Sequence, residues 1–234
     1  MLLATLRKQV LEANLELVRR ELVLSTFGNA SGFARDEGLI IIKPSGVPYE
    51  GMKPQHLVVT DLQGKVVEGT LRPSSDLPTH AALYRAFPSL GGIAHTHSEY
   101  ATAWAQARKP IPCFGTTHAD FFHGPIPLTD SLADHEIEGE YEANTGEAII
   151  RAFKKIDPLA VPAVLVANHG PFAWGANPRQ AAENAWMLEA VARMAYFTVG
   201  IDAHASSIAK PLHDRHFLRK HGKDAYYGQA RTKK

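Results

Sequence analysis

The chain has 234 residues, 45% hydrophobic and 21% charged, which suits one globular unit with a buried core. Its 25 basic and 24 acidic side chains nearly cancel, so no global field points to nucleic acid or an anionic membrane. A lone cysteine, Cys113, excludes an intrachain disulfide and a thiolate metal cluster, and no apolar run approaches the ~20 residues that span a bilayer. Met1–Lys8 shows no signal-peptide pattern, so a reducing, cytoplasmic setting is expected. The unusual count is 12 histidines.

In chain order, apolar residues Leu3, Leu6, Val10, Ala13 and Leu17 predict a helix over 3–24, ending in the small polar stretch Ser25 to Gly32. Leu39–Ile42 reads as a buried strand stopped by Lys43-Pro44-Ser45-Gly46. Leu57–Thr60 and Lys65–Val67 flank a hairpin turn. Pro78–Phe87 suits a helix with Asp76 just ahead of it, and Gly92–His97 suits a strand. Asn144-Thr145-Gly146-Glu147 resembles a capping box opening a helix through Lys155. Ala163–Ala167 is an apolar strand running into Asn168-His169-Gly170. A helix over 178–199 is capped by Asn177, and a shorter one covers 213–221. No repeat or linker interrupts the pattern, which predicts one α/β domain.

His95-Thr96-His97 on a strand projects two imidazoles from one face, within reach of a single cation. His169, at the end of a buried strand, is a third candidate. Three neutral imidazoles leave a coordination position open for substrate, as in catalytic zinc sites. Asp76 has three roles open to it: metal ligand, hydrogen-bond partner of a ligating imidazole, or helix cap. Gly28–Gly32, Pro44–Gly46 and Ser74-Ser75 offer small residues and hydroxyls able to cradle a phosphate, with Lys43 as a point charge. Glu99 reads as a helix-start carboxylate.

Gly28-Asn29-Ala30-Ser31-Gly32, Lys43-Pro44-Ser45-Gly46, Ser74-Ser75-Asp76, His95-Thr96-His97, Asn168-His169-Gly170 and Lys220-His221-Gly222 through Ala225–Gln229 occur together in this order. In that order they resemble the class II aldolase/adducin family, and within it the branch that interconverts L-ribulose 5-phosphate and D-xylulose 5-phosphate. The resemblance implies a three-layer α/β/α fold with a central, largely antiparallel β-sheet. It implies one catalytic domain over 1–229 with a short basic tail at 230–234. It implies one Zn2+ per subunit on Asp76, His95, His97 and His169, where the ligand set would also accept manganese or cobalt. Asn29, Lys43, Ser45, Gly46, Ser74 and Ser75 are then expected around the substrate phosphate. Asp120 and Tyr227 match the acid/base pair, and Thr116, Glu142 and His216 match supporting polar positions. The assembly implied is a homotetramer with active sites between subunits, Tyr227 reaching in from a neighbour.

Two alternatives accompany this reading. One is a sugar-phosphate aldolase, whose relatives tend to carry glutamate where this chain has Asp76. The other is a metal-free, adducin-like interaction module, against which the intact histidine triad argues. Arabinose catabolism and ascorbate breakdown both use the epimerisation, and the sequence does not separate them.

Overall fold

The computed structural model describes residues 1–228; Gln229 and the basic tail lie outside the described residues. Seven strands form one sheet: β1 (Asn29–Ala34), β2 (Leu39–Ile42), β3 (Val58–Asp61), β4 (Val66–Glu68), β5 (Gly92–His95), β6 (Ala163–Leu165) and β7 (Pro171–Gly175). Their order is β4-β3-β2-β1-β5-β7-β6, and every pairing between named strands is antiparallel, as expected.

Helices cover both faces of the sheet. On one side lie α1 (Ala4–Arg19) and α7 (Pro178–Ile201); on the other, α2 (Leu77–Ala86) and α6 (Tyr141–Ala152). The alternation of strand side chains sets this division. Ser31 points to α2, where its hydroxyl meets Tyr84 at 2.7 Å, while its neighbour Gly32 faces α1 and α7. A Cβ on Gly32 would stand 2.8 Å from Val10 and 2.9 Å from Pro178, so the close approach of both helices to β1 requires glycine there. The main core fills both interfaces and includes Leu17, Ile93, Phe172, Trp174 and Leu188. A smaller cluster of Val10, Ile41, Met52, Leu57 and Val59 lies toward the β3 edge.

Several sequence expectations need correction. The first helix stops at Arg19: Glu21 turns the chain at φ 58°, and Leu22 re-enters the core at 2% exposure. Asn29–Gly32, read as part of the small polar stretch Ser25 to Gly32, opens a strand that runs to Ala34 between β2 and β5; Gly32 is small because helices crowd it. The helix expected from Asn144 begins at Tyr141 and ends at Ala152. Asn144 lies in its first turn, and its amide donates to Glu136 O on the short α5 (Asp134–Glu138). Strands β5 and β6 end at His95 and Leu165, and α8 (Lys210–His221) starts earlier than expected, with Pro211 in its first turn. Glu99, read as a helix-start carboxylate, does begin a helix, α3 (Glu99–Gln106), whereas strand β7 and the helices α4 (Thr116–Ala119) and α5 were not anticipated as elements.

Candidate active site

His95 is the last residue of β5, paired across the sheet with Asn29 on β1 and Phe172 on β7. His97 follows two residues on, with its ring 5.9 Å from that of Phe27. His169 sits in the turn joining β6 to β7. That turn needs its sequence: Asn168 adopts φ 62°, which asparagine tolerates, and a Cβ on Gly170 would lie 2.8 Å from Thr96 O. Val166 N–H donates to Gly170 O at 2.9 Å and closes the loop.

The three imidazoles thus converge, with a ligand nitrogen from each within 4.8 Å of the others. His95 Nδ1 lies 3.0 Å from Pro171 O, which calls for a proton on Nδ1 and leaves Nε2 as the ligand atom. His169 Nδ1 lies 3.3 Å from the Tyr141 hydroxyl. Burial, with the other two imidazoles beside it, pushes His169 down to about 4, and burial also lowers His97. Neutral imidazoles are what a metal requires.

Asp76 does not cap α2; its side chain makes no bond to that helix's backbone. Its Oδ2 instead accepts from Asn29 Nδ2 at 2.6 Å and from Ser74 Oγ at 3.3 Å. Burial raises its carboxyl, but His95, His80 and His169 together with the Asn29 bond outweigh this and hold it below the usual range. The carboxylate therefore stays ionised beside the imidazole cage. The donor set fits a divalent cation: three neutral imidazoles with one carboxylate poised next to them.

Around the cage lies a cleft of 360 Å³, lined in part by Asn29, Lys43, Ser45, Gly46, Ser74, Ser75, Asp76, Glu142 and the triad. The loops after β2 and before α2 are zipped together by Ser45 N–H to Arg72 O and Ser74 N–H to Lys43 O, both at 3.0 Å. Lys43 is buried, its ammonium 4.6 Å over the Tyr49 ring and donating to the carbonyls of Thr26 and Pro44. Burial lowers it to about 8, with Asp76 working in the opposite direction. Both amide hydrogens of Asn29 are committed, to Asp76 and to Ser74 Oγ, while its Oδ1 is buried without a partner among the described residues.

Asp120, Thr116, His216 and Tyr227 do not line this cleft. They gather where α8 packs on α4. Asp120 takes a two-pronged bond from Arg219 at 3.1 and 2.8 Å and lies 3.1 Å from His216 Nδ1. Arg219 and Lys220 stack over Tyr227 at 4.8 and 4.5 Å. Tyr141 and His80 escaped the sequence reading. Tyr141 carries no signal beyond adjacency to Glu142, whereas His80 stands one helical turn after Asp76, a spacing that could have flagged it.

Residues 8–196 match the model of the class II aldolase and adducin N-terminal domain. The chain belongs to that family. Among its class II relatives, the L-ribulose-5-phosphate 4-epimerase UlaF of Salmonella paratyphi B is 54% identical over 224 residues, covering 96% of this chain and 98% of the relative. The Salmonella typhi protein of the same name matches equally well. An L-fuculose 1-phosphate aldolase structure superposes with a TM-score of 0.77 at 25% identity, covering 91% of this chain and 94% of the other. The L-fuculose-1-phosphate aldolase of Thermus thermophilus, at 20% identity and a TM-score of 0.67 over 87% of this chain and 100% of its own, shares the class II fold.

Proposed function

We propose that this chain is a zinc-dependent L-ribulose-5-phosphate 4-epimerase, interconverting L-ribulose 5-phosphate and D-xylulose 5-phosphate. The reading is carried by the convergence of the histidine triad, Asp76 and Lys43 in one cleft, in a chain 54% identical to a relative of that name. The aldolase alternative rests on a more distant likeness, at 25% identity. The intact triad speaks against a metal-free interaction module.

The proton on carbon 4 of a ketopentose 5-phosphate is not acidic, because carbon 4 is not adjacent to the carbonyl. Breaking the C3–C4 bond by a retro-aldol step, rotating the resulting aldehyde and re-forming the bond inverts that centre. His95, His97 and His169, with Asp76 beside them, would hold a divalent cation, which would supply Lewis acidity to the oxygens near the cleaved bond. Lys43 brings the positive charge suited to a phosphate, with Ser45, Gly46, Ser74 and Ser75 offering hydroxyls and backbone N–H groups beside it. Asn29 Oδ1 is an acceptor and so suits a substrate hydroxyl. Asp76 fixes that orientation, since a flipped amide would set oxygen against carboxylate.

The C4 hydroxyl must lose a proton on cleavage and regain one on the other face, the role assigned to Asp120 and Tyr227. Within one chain these two belong to the α4–α8 cluster rather than the cleft, so the reading has a neighbouring subunit deliver them, with Thr116 and His216, in a homotetramer. Exposed Met194, Tyr196, Phe197 and Ile201 at the end of α7 offer apolar surface for such contacts. One catalytic domain over 1–229 and a cytoplasmic setting complete the proposal; among the described residues no helix is long and apolar enough to cross a membrane.

The test is to supply L-ribulose 5-phosphate to metal-quantified protein and follow D-xylulose 5-phosphate by a coupled assay. Turnover lost on chelation, restored by zinc and absent in His97→Asn is the expected result. A zinc-loaded protein inert toward this sugar overturns the assignment, and aldol substrates yielding dihydroxyacetone phosphate become the next to try.

A further inference from the structure

Beneath the cage lies a buried polar chain that the proposed chemistry does not use. Tyr84 and His80 on α2 are both fully buried, and Ser31 Oγ on β1 lies 2.7 Å from the Tyr84 hydroxyl and 2.7 Å from His80 Nδ1. His80 Nε2 is buried with no hydrogen-bond partner among the described residues. An uncompensated buried nitrogen is costly, and a native fold that keeps one holds it for a partner.

The proton positions follow from satisfying the chain. If Tyr84 O–H donates to Ser31 Oγ and Ser31 O–H donates to His80 Nδ1, both hydroxyl hydrogens are used and the imidazole proton sits on Nε2. Reversing the chain strands the Tyr84 hydrogen and leaves Nε2 a bare acceptor as well. The first arrangement leaves one unmet group, an Nε2–H donor.

An acceptor stands one helical turn away. His80 N–H donates to Asp76 O at 3.1 Å, which puts the two side chains on successive turns of one helix face. Asn29 and Ser74 both bond to Asp76 Oδ2, leaving Oδ1 uncommitted. Asp76 is the strongest charge acting on His80. His80 also sets its edge on Phe172, whose face stacks on His95 at 4.1 Å.

We infer that His80 is a positioning residue for the metal site, its Nε2–H held by Ser31 and Tyr84 as the donor that orients the Asp76 carboxylate toward the cation. This rests on the reading of Asp76 as a ligand. Asn29 grips the carboxylate from β1; His80 Nε2 makes no hydrogen bond to it in the metal-free fold, and on this inference it engages the free oxygen when the cage fills.

The experiment measures zinc dissociation constants of the full-length protein by competition with a chromophoric chelator. His80→Asn keeps an amide near Nδ1 but removes the Nε2 donor; His80→Gln restores a donor near Nε2. Asn is expected to weaken zinc binding ten- to a hundredfold, and Gln to recover most of that loss, with the two metal-free variants melting at similar temperatures. Unchanged affinity in His80→Asn overturns the inference. Equal weakening in both variants, together with a shared fall in metal-free melting temperature, also overturns it and assigns His80 a packing role. Should His80→Asn not fold, Ser31→Ala carries the test: it releases the tautomer, several-fold weaker zinc binding is expected, and native affinity overturns the idea. A wild-type protein that binds no zinc sinks the metal reading itself, whereas tight binding unaffected by these changes sinks only the role of His80.

Discussion

Asn29 donates to Asp76 across 2.6 Å, joining the first residue of β1 to the residue that precedes α2. The bond explains how an aspartate at a helix start is withheld from capping: a better donor faces it from the sheet. Its acceptor is charged, so Asn29→Ala should cost about 1.5–3 kcal/mol of stability. Asn29→Asp should cost more, since it sets two carboxylates against each other in a buried place. Urea denaturation of the metal-free proteins, compared with zinc titrations, checks both. If Asn29→Asp proved as stable as the native chain, the carboxylate would not be held as described.

Acid should weaken the metal-free fold through its buried histidines. Burial pushes His118 down to about 4, with its Nε2 2.8 Å from Gly124 O working against the shift, and His169 and His80 are lowered too. An unfolded histidine takes up its proton below about pH 6.5. Between that value and the folded pKa the unfolded chain binds more protons, so stability falls as pH drops and levels off below the folded pKa. For His118 alone the loss at pH 5 is about 2 kcal/mol. His118→Asn should reduce by that amount the change in unfolding free energy, extrapolated from urea titrations, between pH 7.5 and 5. A slope identical to that of the native protein would remove His118 from the account.

Glu189 on α7 caps α3 from outside, Oε1 accepting from Tyr100 N–H at 2.8 Å and Oε2 from Ala101 N–H at 2.9 Å. The carboxylate meets both the orphan donors and the positive end of the helix dipole. Because α3 starts two residues after His97, the cap also fixes the segment that carries this imidazole. Glu189→Ala should cost about 1–2 kcal/mol and weaken zinc binding, with Glu189→Gln intermediate. Thermal melting and chelator competition read the two effects separately. Lost stability with unchanged zinc affinity would confine Glu189 to the cap.

What could be read from the chain beforehand depended on whether a local rule carried the information. The spacing of His95 and His97 and the turn holding His169 are local, and the structure brings those imidazoles together. Asn29–Gly32 looked like part of a loop because Gly32 answers to helices packed on β1, and that crowding is invisible in a window of sequence. Glu99 marked the start of α3, but the carboxylate that caps it was hidden for a related reason, lying 88 residues from Ala101. Asp76 was open to three roles, and only the amide of Asn29 beside it removes the cap from among them. Tyr141 and His80 acquire meaning only from the atoms they face.

Asp120 anchors α8 as well as standing in the proposed acid/base pair. Phe217 is the one buried residue of that helix, so polar contacts to α4 and the loop after it must hold it. Asp120 supplies most of them, through Arg219, His216 and Lys220, and its backbone carbonyl lies 2.9 Å from His221 Nε2. Tyr226 and Tyr227 then hang from Arg219 O by their N–H groups at 3.0 Å. Burial raises the Asp120 carboxyl, but Arg219, His216 and Lys220 outweigh it and keep it ionised well into acid. Arg219→Ala should therefore speed hydrogen exchange across 210–221 severalfold, since it breaks the two-pronged charge-assisted pair that ties the helix to Asp120. It should also lower turnover by unseating Tyr227. Asp120→Asn should raise exchange less, because an amide still accepts from Arg219, yet reduce turnover more if its carboxylate carries a proton in the reaction. Exchange that rises equally in both variants, with equal losses of turnover, would reduce Asp120 to an anchor and leave the proton transfer to another group.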